Sequence, residues 1–360
     1  MNQLEEISIS SVADASDQVV QEKPLVINCS HTTQKGDFFE PHTEDTLRWR
    51  HFSAKDSLHT PLFRNNGNLR RFSACLRAAR AAQDLGASIV VTHDPRISFA
   101  VQHFLKLYSY RGPHLAFSFN YPWLPSGLKS RLHRLGFKGI DRFVVYSTIE
   151  RELYHEHFNI PLELLEFTHW GVAPPHIDSP GKPIVEGDYL CAIGGNSRDY
   201  RTFIESVKRL PEIRVVMVVR PENVVGIDIP PNVKVMTDIP FGQAMNVLAF
   251  SRFMALPLDG ARVPCGHVTL VNAMHLGKAF AITRSVGVVD YVREGDNALM
   301  FSAKSVDEMT SVLRRMWYES ELCAQLGEAG RAFAAEHCTE SHALLGFKRI
   351  LRELGVPLSV

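Results

Sequence analysis

Short runs of apolar, largely β-branched residues recur along the chain, and each is followed by a stretch with helical spacing. In the first half they lie at 25–29, 88–93, 114–119, 142–147 and 162–167; in the second at 189–194, 214–219, 233–237, 253–258, 279–284 and 298–302. Most are continuous rather than alternating, as strands covered on both faces of a parallel sheet require. Helices are predicted at 69–85, closing at Gly86, and at 268–276, closing at Gly277. Another opens on the Ser305/Glu308 capping box and runs to about residue 317, and a last one spans 341–354. This alternation predicts an α/β chain with doubly wound sheets. The periodicity fails at 172–187, which holds four prolines and two glycines. The expected division is a flexible tail at 1–20, a first domain at 21–175, a second at 176–338, and a terminal helix at 339–360 packing back on the first. Two such domains enclose a cleft, and ligands belong there, outside the carboxyl ends of the strands.

Composition narrows the class. The 360 residues carry 39 Lys+Arg and 39 Asp+Glu, a net charge of zero, which excludes a whole-surface grip on nucleic acid. Hydrophobic residues at 45% and charged ones at 22% are ordinary globular values, and no apolar run approaches the ~18 residues that span a bilayer. The first residues are acidic and polar, unlike a secretory signal. Cys29, Cys75, Cys191, Cys265, Cys323 and Cys338 are scattered without CxxC spacing, against a disulfide scaffold or a structural zinc site. The expectation is a cytoplasmic two-domain protein.

Candidate chemistry concentrates in the second half. In PCGHVTLVNAMHLGKAFAITRSVGVVD a helix opens after Gly266, and His267, Val268 and Thr269 present its free N–H groups, with the Thr269 hydroxyl beside them. Such a start either holds a phosphate without a metal or is an ordinary first turn. The loop AIGGNSRDY follows a strand; Gly194 and Gly195 allow close approach, Asn196 adds an amide, and Arg198 is a cation for phosphate oxygens or a solvated side chain. Arg220 ends the next strand. Neither half shows GxGxxG with a following acid or the Lys-Ser/Thr of a P-loop, which speaks against a dehydrogenase.

These stretches, with VVRPEN, VKVMTDIPFGQAMNVLAFSRFMALPL and GHVTLVNAMHLGKAFAITRSVGVVDYVREGDNALMF, resemble the donor domain of GT-B glycosyltransferases, in particular the family 4-like group, over about residues 186–335. The resemblance implies two Rossmann-like domains and a hexosyltransferase-type enzyme. A sugar would pass from a UDP- or GDP-linked donor to a hydroxyl acceptor, a saccharide or glycolipid of cell-surface polysaccharide synthesis, with no cofactor and no metal. Gly194, Gly195, Asn196 and Arg198 would face the phosphates, Gly266 to Thr269 would supply N–H donors, Arg220 would flank the nucleotide, and Ile239 with Pro240 would border the base. The family's two glutamates seven residues apart are replaced by Pro264 and Asn272, the latter left to bond a ribose hydroxyl, and the family's first-domain histidine falls at Asn120. An inverting enzyme with a carboxylate base, a sugar-nucleotide binder without turnover, and a nucleotide-sugar epimerase remain as alternatives.

For an inverting reaction the base must reach an acceptor hydroxyl. Asp94, beside His93 at the end of a buried strand, is either that base or the cap of the helix opening at Pro95. His31, Asp37 and Glu40 follow the first strand and either line the acceptor side or belong to an ordinary loop. Residues 126–137 form a basic amphipathic helix with Leu128, Leu132 and Leu135 on one face and Lys129, Arg131 and Arg134 elsewhere. It either lies on an anionic membrane surface, placing the protein peripherally on its inner face, or packs its leucines into its own domain. His155 and His157 lie two apart on a helix and cannot share a zinc.

Overall fold

The computed structural model describes residues 22–31, 37–55, 66–121, 123–260 and 264–358; the expected tail at 1–20 lies outside the described residues. Two six-stranded sheets, parallel throughout, form the frame. The first holds β1 (Leu25–Ser30), β2 (Arg48–Ser53), β3 (Ile89–His93), β4 (His114–Phe117), β5 (Arg142–Val145) and β6 (Leu165–Phe167), in the order β2-β1-β3-β4-β5-β6. The second holds β7 (Leu190–Ile193), β8 (Val215–Val219), β9 (Val233–Thr237), β10 (Phe253–Leu256), β11 (Phe280–Thr283) and β12 (Leu299–Phe301), in the order β12-β11-β10-β7-β8-β9. Strand order reverses between β1 and β3 and between β7 and β10, so each sheet has a crevice at its carboxyl edge there.

Helices in the first sheet's part of the chain are α1 (Gly67–Asp84), α2 (Pro95–Leu107), α3 (Gly127–Gly136) and α4 (Thr148–Phe158). The second part adds α5 (Tyr200–Lys208), α6 (Phe241–Phe250), α7 (His267–His275), α8 (Val306–Tyr318) and α9 (Ser320–His337), and α10 (Glu340–Glu353) comes last. The continuous apolar runs are explained by burial on both faces. In β7, Cys191 and Ile193 enter one apolar cluster, with Met254 and Phe280, while Leu190 and Ala192 enter the other, with Phe203 and Phe253. Each of the larger ones, Leu, Ile, Met or Phe, contributes on the order of 1.5–3 kcal/mol by leaving water.

The strand β2 has no counterpart among the expected runs. It is an edge strand whose first four residues alternate between exposed and half-buried, so RWRHFS carries no continuous apolar signal.

The chain crosses between the two halves twice. The crossings are joined where the Val172 N–H donates to the Cys338 carbonyl (3.0 Å), and they run so close that a Cβ on Gly171 would stand 2.4 Å from the Thr339 carbonyl oxygen. Beyond the second crossing α10 lies against the first sheet. Ala343, Phe347, Ile350 and Leu351 share an apolar cluster with Val26, Phe39, Leu115 and Phe117, and Phe347 stacks on Phe39 at 4.3 Å.

Candidate functional site

The glycine loop leaves β7 at the second sheet's switch point. Gly194 has φ 118°, a conformation side-chain-bearing residues rarely adopt, and a Cβ there would meet the Arg198 guanidinium at 2.8 Å. A Cβ on Gly195 would meet the Arg220 side chain at the same distance, so both arginines lie across glycines. Arg198 donates to the Asn196 carbonyl (2.6 Å) and the Thr269 hydroxyl (3.2 Å), which ties the loop to α7. Its Nε and the neighbouring Ser197 Oγ are buried without a partner. Asn223 holds the Gly195 carbonyl (2.9 Å) and accepts from the Arg220 N–H (3.1 Å), bringing the end of β8 to the same spot.

At the start of α7, Gly266 occupies the N-cap with φ 93° and offers no side-chain cap, and it sits 3.9 Å (Cβ position) from the Arg198 guanidinium. An uncapped helix start beside the Arg198 guanidinium, with Arg220 over the neighbouring Gly195, concentrates N–H donors and positive charge, a setting for a diphosphate. Gly194, Gly195, Asn196, Arg198, Arg220, Gly266 and Thr269 are thus one group in space. Val268 is exposed on the same first turn.

Three other donor-side residues are placed differently. The His267 ring is buried, bonds the Gly287 carbonyl (2.8 Å) and lies against Tyr291; burial pushes its pKa down to about 4, so its ring is a neutral structural element. The Asn272 amide donates to the Val268 carbonyl of its own helix (2.7 Å) and is 4% exposed, so the ribose contact expected of it is not built. Ile239 follows β9, two strands from β7, half-buried against the apolar cluster on that face.

Along the first sheet's carboxyl edge, side chains bond one another in a row. Glu40 pairs with His51 (2.9 Å), His51 with Asn28 (2.9 Å), Asn28 with His93 (3.1 Å), His93 with Ser118 (3.3 Å) and Ser118 with the Tyr146 hydroxyl (2.7 Å). His93, 1% exposed, is therefore inside this row rather than open to the cleft. Asp94 caps α2: its Oδ1 accepts from the Arg96 N–H (2.8 Å), and its carboxylate takes the Arg96 guanidinium at 2.6 Å and 3.0 Å. Of its two expected roles, the cap is the one the structure builds. His31 is exposed at the end of β1; Asp37 opens a short 3-10 helix (Asp37–His42), and its side chain lies outside the described residues.

Of the eight non-glycine residues with positive φ among the described residues, Asp94 (φ 84°), Ser118 (φ 62°) and Asp238 (φ 56°) directly follow β3, β4 and β9, and Ser197 (φ 51°) lies in the glycine loop after β7.

Asn120 spans the cleft, donating to Glu150 Oε1 (2.6 Å) and to the Pro264 carbonyl just before α7 (3.3 Å). Glu150 was not singled out in the sequence. It is fully buried, accepts also from Tyr154 Oη, the Tyr146 N–H and Ser147 Oγ, and burial pushes its pKa up to about 7. Its signal was hidden because Ser147-x-x-Glu150 reads as a capping box. Further ties across the cleft run from the Thr148 N–H and hydroxyl to Asp290 (both 2.8 Å) and from the Tyr291 hydroxyl to the Tyr146 carbonyl (2.8 Å).

Similar architecture occurs among solved structures. A glycosyltransferase from Rickettsia africae is 10% identical, with a TM-score of 0.68 over 92% of this chain and 99% of that one. Sucrose-phosphate synthase from Thermosynechococcus elongatus is 13% identical, with 0.70 over the same shares. The HepE protein of Anabaena, solved in complex with UDP and glucose, is 12% identical, with 0.67 over the same shares. The chain has the GT-B fold. No protein-family model matches it, and no curated protein does. In GT-B terms the group around Arg198 lies on the second domain's side of the cleft, and the Glu40-to-Tyr146 row lies on the first domain's side.

Proposed function

We propose that this GT-B protein transfers a hexosyl group from a nucleoside-diphosphate sugar, UDP- or GDP-linked, to a hydroxyl of a saccharide or glycolipid acceptor of cell-surface polysaccharide synthesis. The observation that carries the reading is the convergence of Arg198, Arg220, the Thr269 hydroxyl and the uncapped start of α7 on two glycines. In the reaction the bond from the anomeric carbon to the diphosphate breaks, and its electron pair stays with the departing diphosphate. The acceptor oxygen bonds the anomeric carbon and loses its proton. Guanidinium and N–H groups fixed beforehand stabilise the charge that gathers on the leaving group. The three neighbouring structures named above support this reading: one is a glycosyltransferase, one a sucrose-phosphate synthase, and one was solved with UDP and glucose.

In this proposal residues 176–338 hold the donor and residues 21–175 the acceptor, with Asn120 between them. Asp94 takes the acceptor proton only when Arg96 gives up part of its hold. The reading is tested by calorimetry with UDP and GDP, followed by turnover of the matching sugar nucleotide in the presence of a chelator. Binding with turnover that survives chelation is expected. Absence of binding to either nucleotide removes the proposal, and binding without turnover replaces it with a sugar-nucleotide binder.

A further inference from the structure

Residues 95–140 contain no aspartate or glutamate but seven lysines or arginines, in a chain whose charges cancel overall. At the surface of this stretch α3 is turned the unusual way round. It packs inward through Gly136, where a Cβ would strike the Phe99 ring, and through the buried His133, which stacks on Phe99 at 4.7 Å and bonds the Tyr121 hydroxyl. Its leucines, at i, i+4 and i+7, consequently face water: Leu128 is 73% exposed, Leu132 50% and Leu135 59%, and Trp123 just before the helix is 66% exposed. A globular helix ordinarily buries that stripe.

Among the described residues no carboxylate pairs with Lys129, Arg131, Arg134 or Lys138. The acid-free surface ends at α4, where Glu152 and Glu156 are exposed. Beside the end of α3 lies a cavity of about 260 Å³ with Phe137, Ile140, Phe143 and Phe158 in its walls and Arg134 and Lys138 among its lining. No helix among the described residues is long and apolar enough to cross a membrane.

We propose that this face docks the protein on an anionic lipid bilayer. Leu128, Leu132, Leu135 and Trp123 enter the boundary between headgroups and acyl chains. Lys129, Arg131 and Arg134 meet the headgroups, and the cavity gives an acyl chain an apolar slot next to Arg134 and Lys138. Charge complementarity selects this occupant: an apolar stripe edged by cations matches a surface that is apolar within and negative at its rim. A protein partner would not demand a stretch of 46 residues free of acid. The inference does not rest on glycosyl transfer, and its test needs no donor or acceptor.

The full chain is sedimented with vesicles of phosphatidylcholine alone and of phosphatidylcholine with about one third phosphatidylglycerol. It should bind the second and not the first, and high salt should release it. Lys129→Ala/Arg131→Ala/Arg134→Ala should weaken binding on the order of 100-fold. Leu128→Ser/Leu132→Ser/Leu135→Ser should weaken it at least about tenfold with an unchanged melting temperature, because these side chains contribute little to the protein's own core. Leu128→Ser alone should show a smaller loss of the same kind. Equal binding to both vesicles, or triple variants that bind as the parent does, would overturn the proposal. So would a dimer of the parent that the leucine variant abolishes, since that assigns the face to a second copy.

Discussion

Along the carboxyl edge of the second sheet the polar groups are backbone N–H groups and guanidiniums lying over glycines, while along the first sheet's edge they are side chains that bond one another. In the proposed reaction the difference tracks the partner each edge would take. Phosphate oxygens are met by a concave backbone, and glycine brings that backbone close. A neutral hydroxyl-bearing partner needs directional side chains held in fixed orientation, and the row from Glu40 to Tyr146 holds them. One edge keeps Arg198 Nε and Ser197 Oγ buried and without a partner, whereas the other encloses a carboxyl, Glu150, inside four donors.

The comparison is broken hardest at Glu150. Burial raises its pKa from 4.5 to about 7, so the folded state binds the proton more tightly than the unfolded one. Its contribution to stability is complete below pH 4.5 and is lost as pH rises to about 7, by roughly 3 kcal/mol. His267 runs the other way: with its pKa lowered from 6.5 to about 4, it adds stability as pH rises through that window. Denaturant titrations of the parent and of Glu150→Gln at several pH values separate the two. The difference between the curves should fall with pH, and a flat difference would mean that Glu150 is ionised at ordinary cost.

Next in size is Arg198→Ala, which should weaken UDP or GDP binding by about 10- to 100-fold, the scale of losing charge-assisted hydrogen bonds. The control is Arg96→Ala on the first edge, which should leave nucleotide affinity unchanged in the same calorimetry. Gly266→Ala forces a side chain into a left-handed cap and should cost about 1 kcal/mol, read as a lowered melting temperature, with a parallel loss of nucleotide affinity. Asp94→Asn is expected to be smallest in stability, within about 0.5 kcal/mol, because asparagine caps as well as aspartate. A large fall in turnover of that variant would show that the carboxylate acts as a base as well as a cap.

Much of this was legible in the sequence because parallel strands covered on both faces must be apolar without interruption, and glycines before helices leave a plain mark. The edge strand β2 was not, since an edge alternates and RWRHFS looks like loop. Glu150 was masked by a local pattern that accounts for a glutamate at the third position of any helix. The orientation of α3 was also out of reach: an amphipathic stripe says that leucines share a face, and only the Gly136–Phe99 contact says which face is turned inward. Sequence spacing also could not say that the Asn272 and His267 side chains are engaged by the backbone carbonyls of Val268 and Gly287.

The double crossing between the halves has a consequence for how the protein is made. The first sheet's apolar cluster is completed by Ala343, Phe347, Ile350 and Leu351, residues translated after every strand of the second sheet. The usual rule that the amino-terminal domain folds first on the ribosome is therefore expected to fail here. The first sheet would then keep that face uncovered until α10 emerges, and the nascent chain would close from its middle outward.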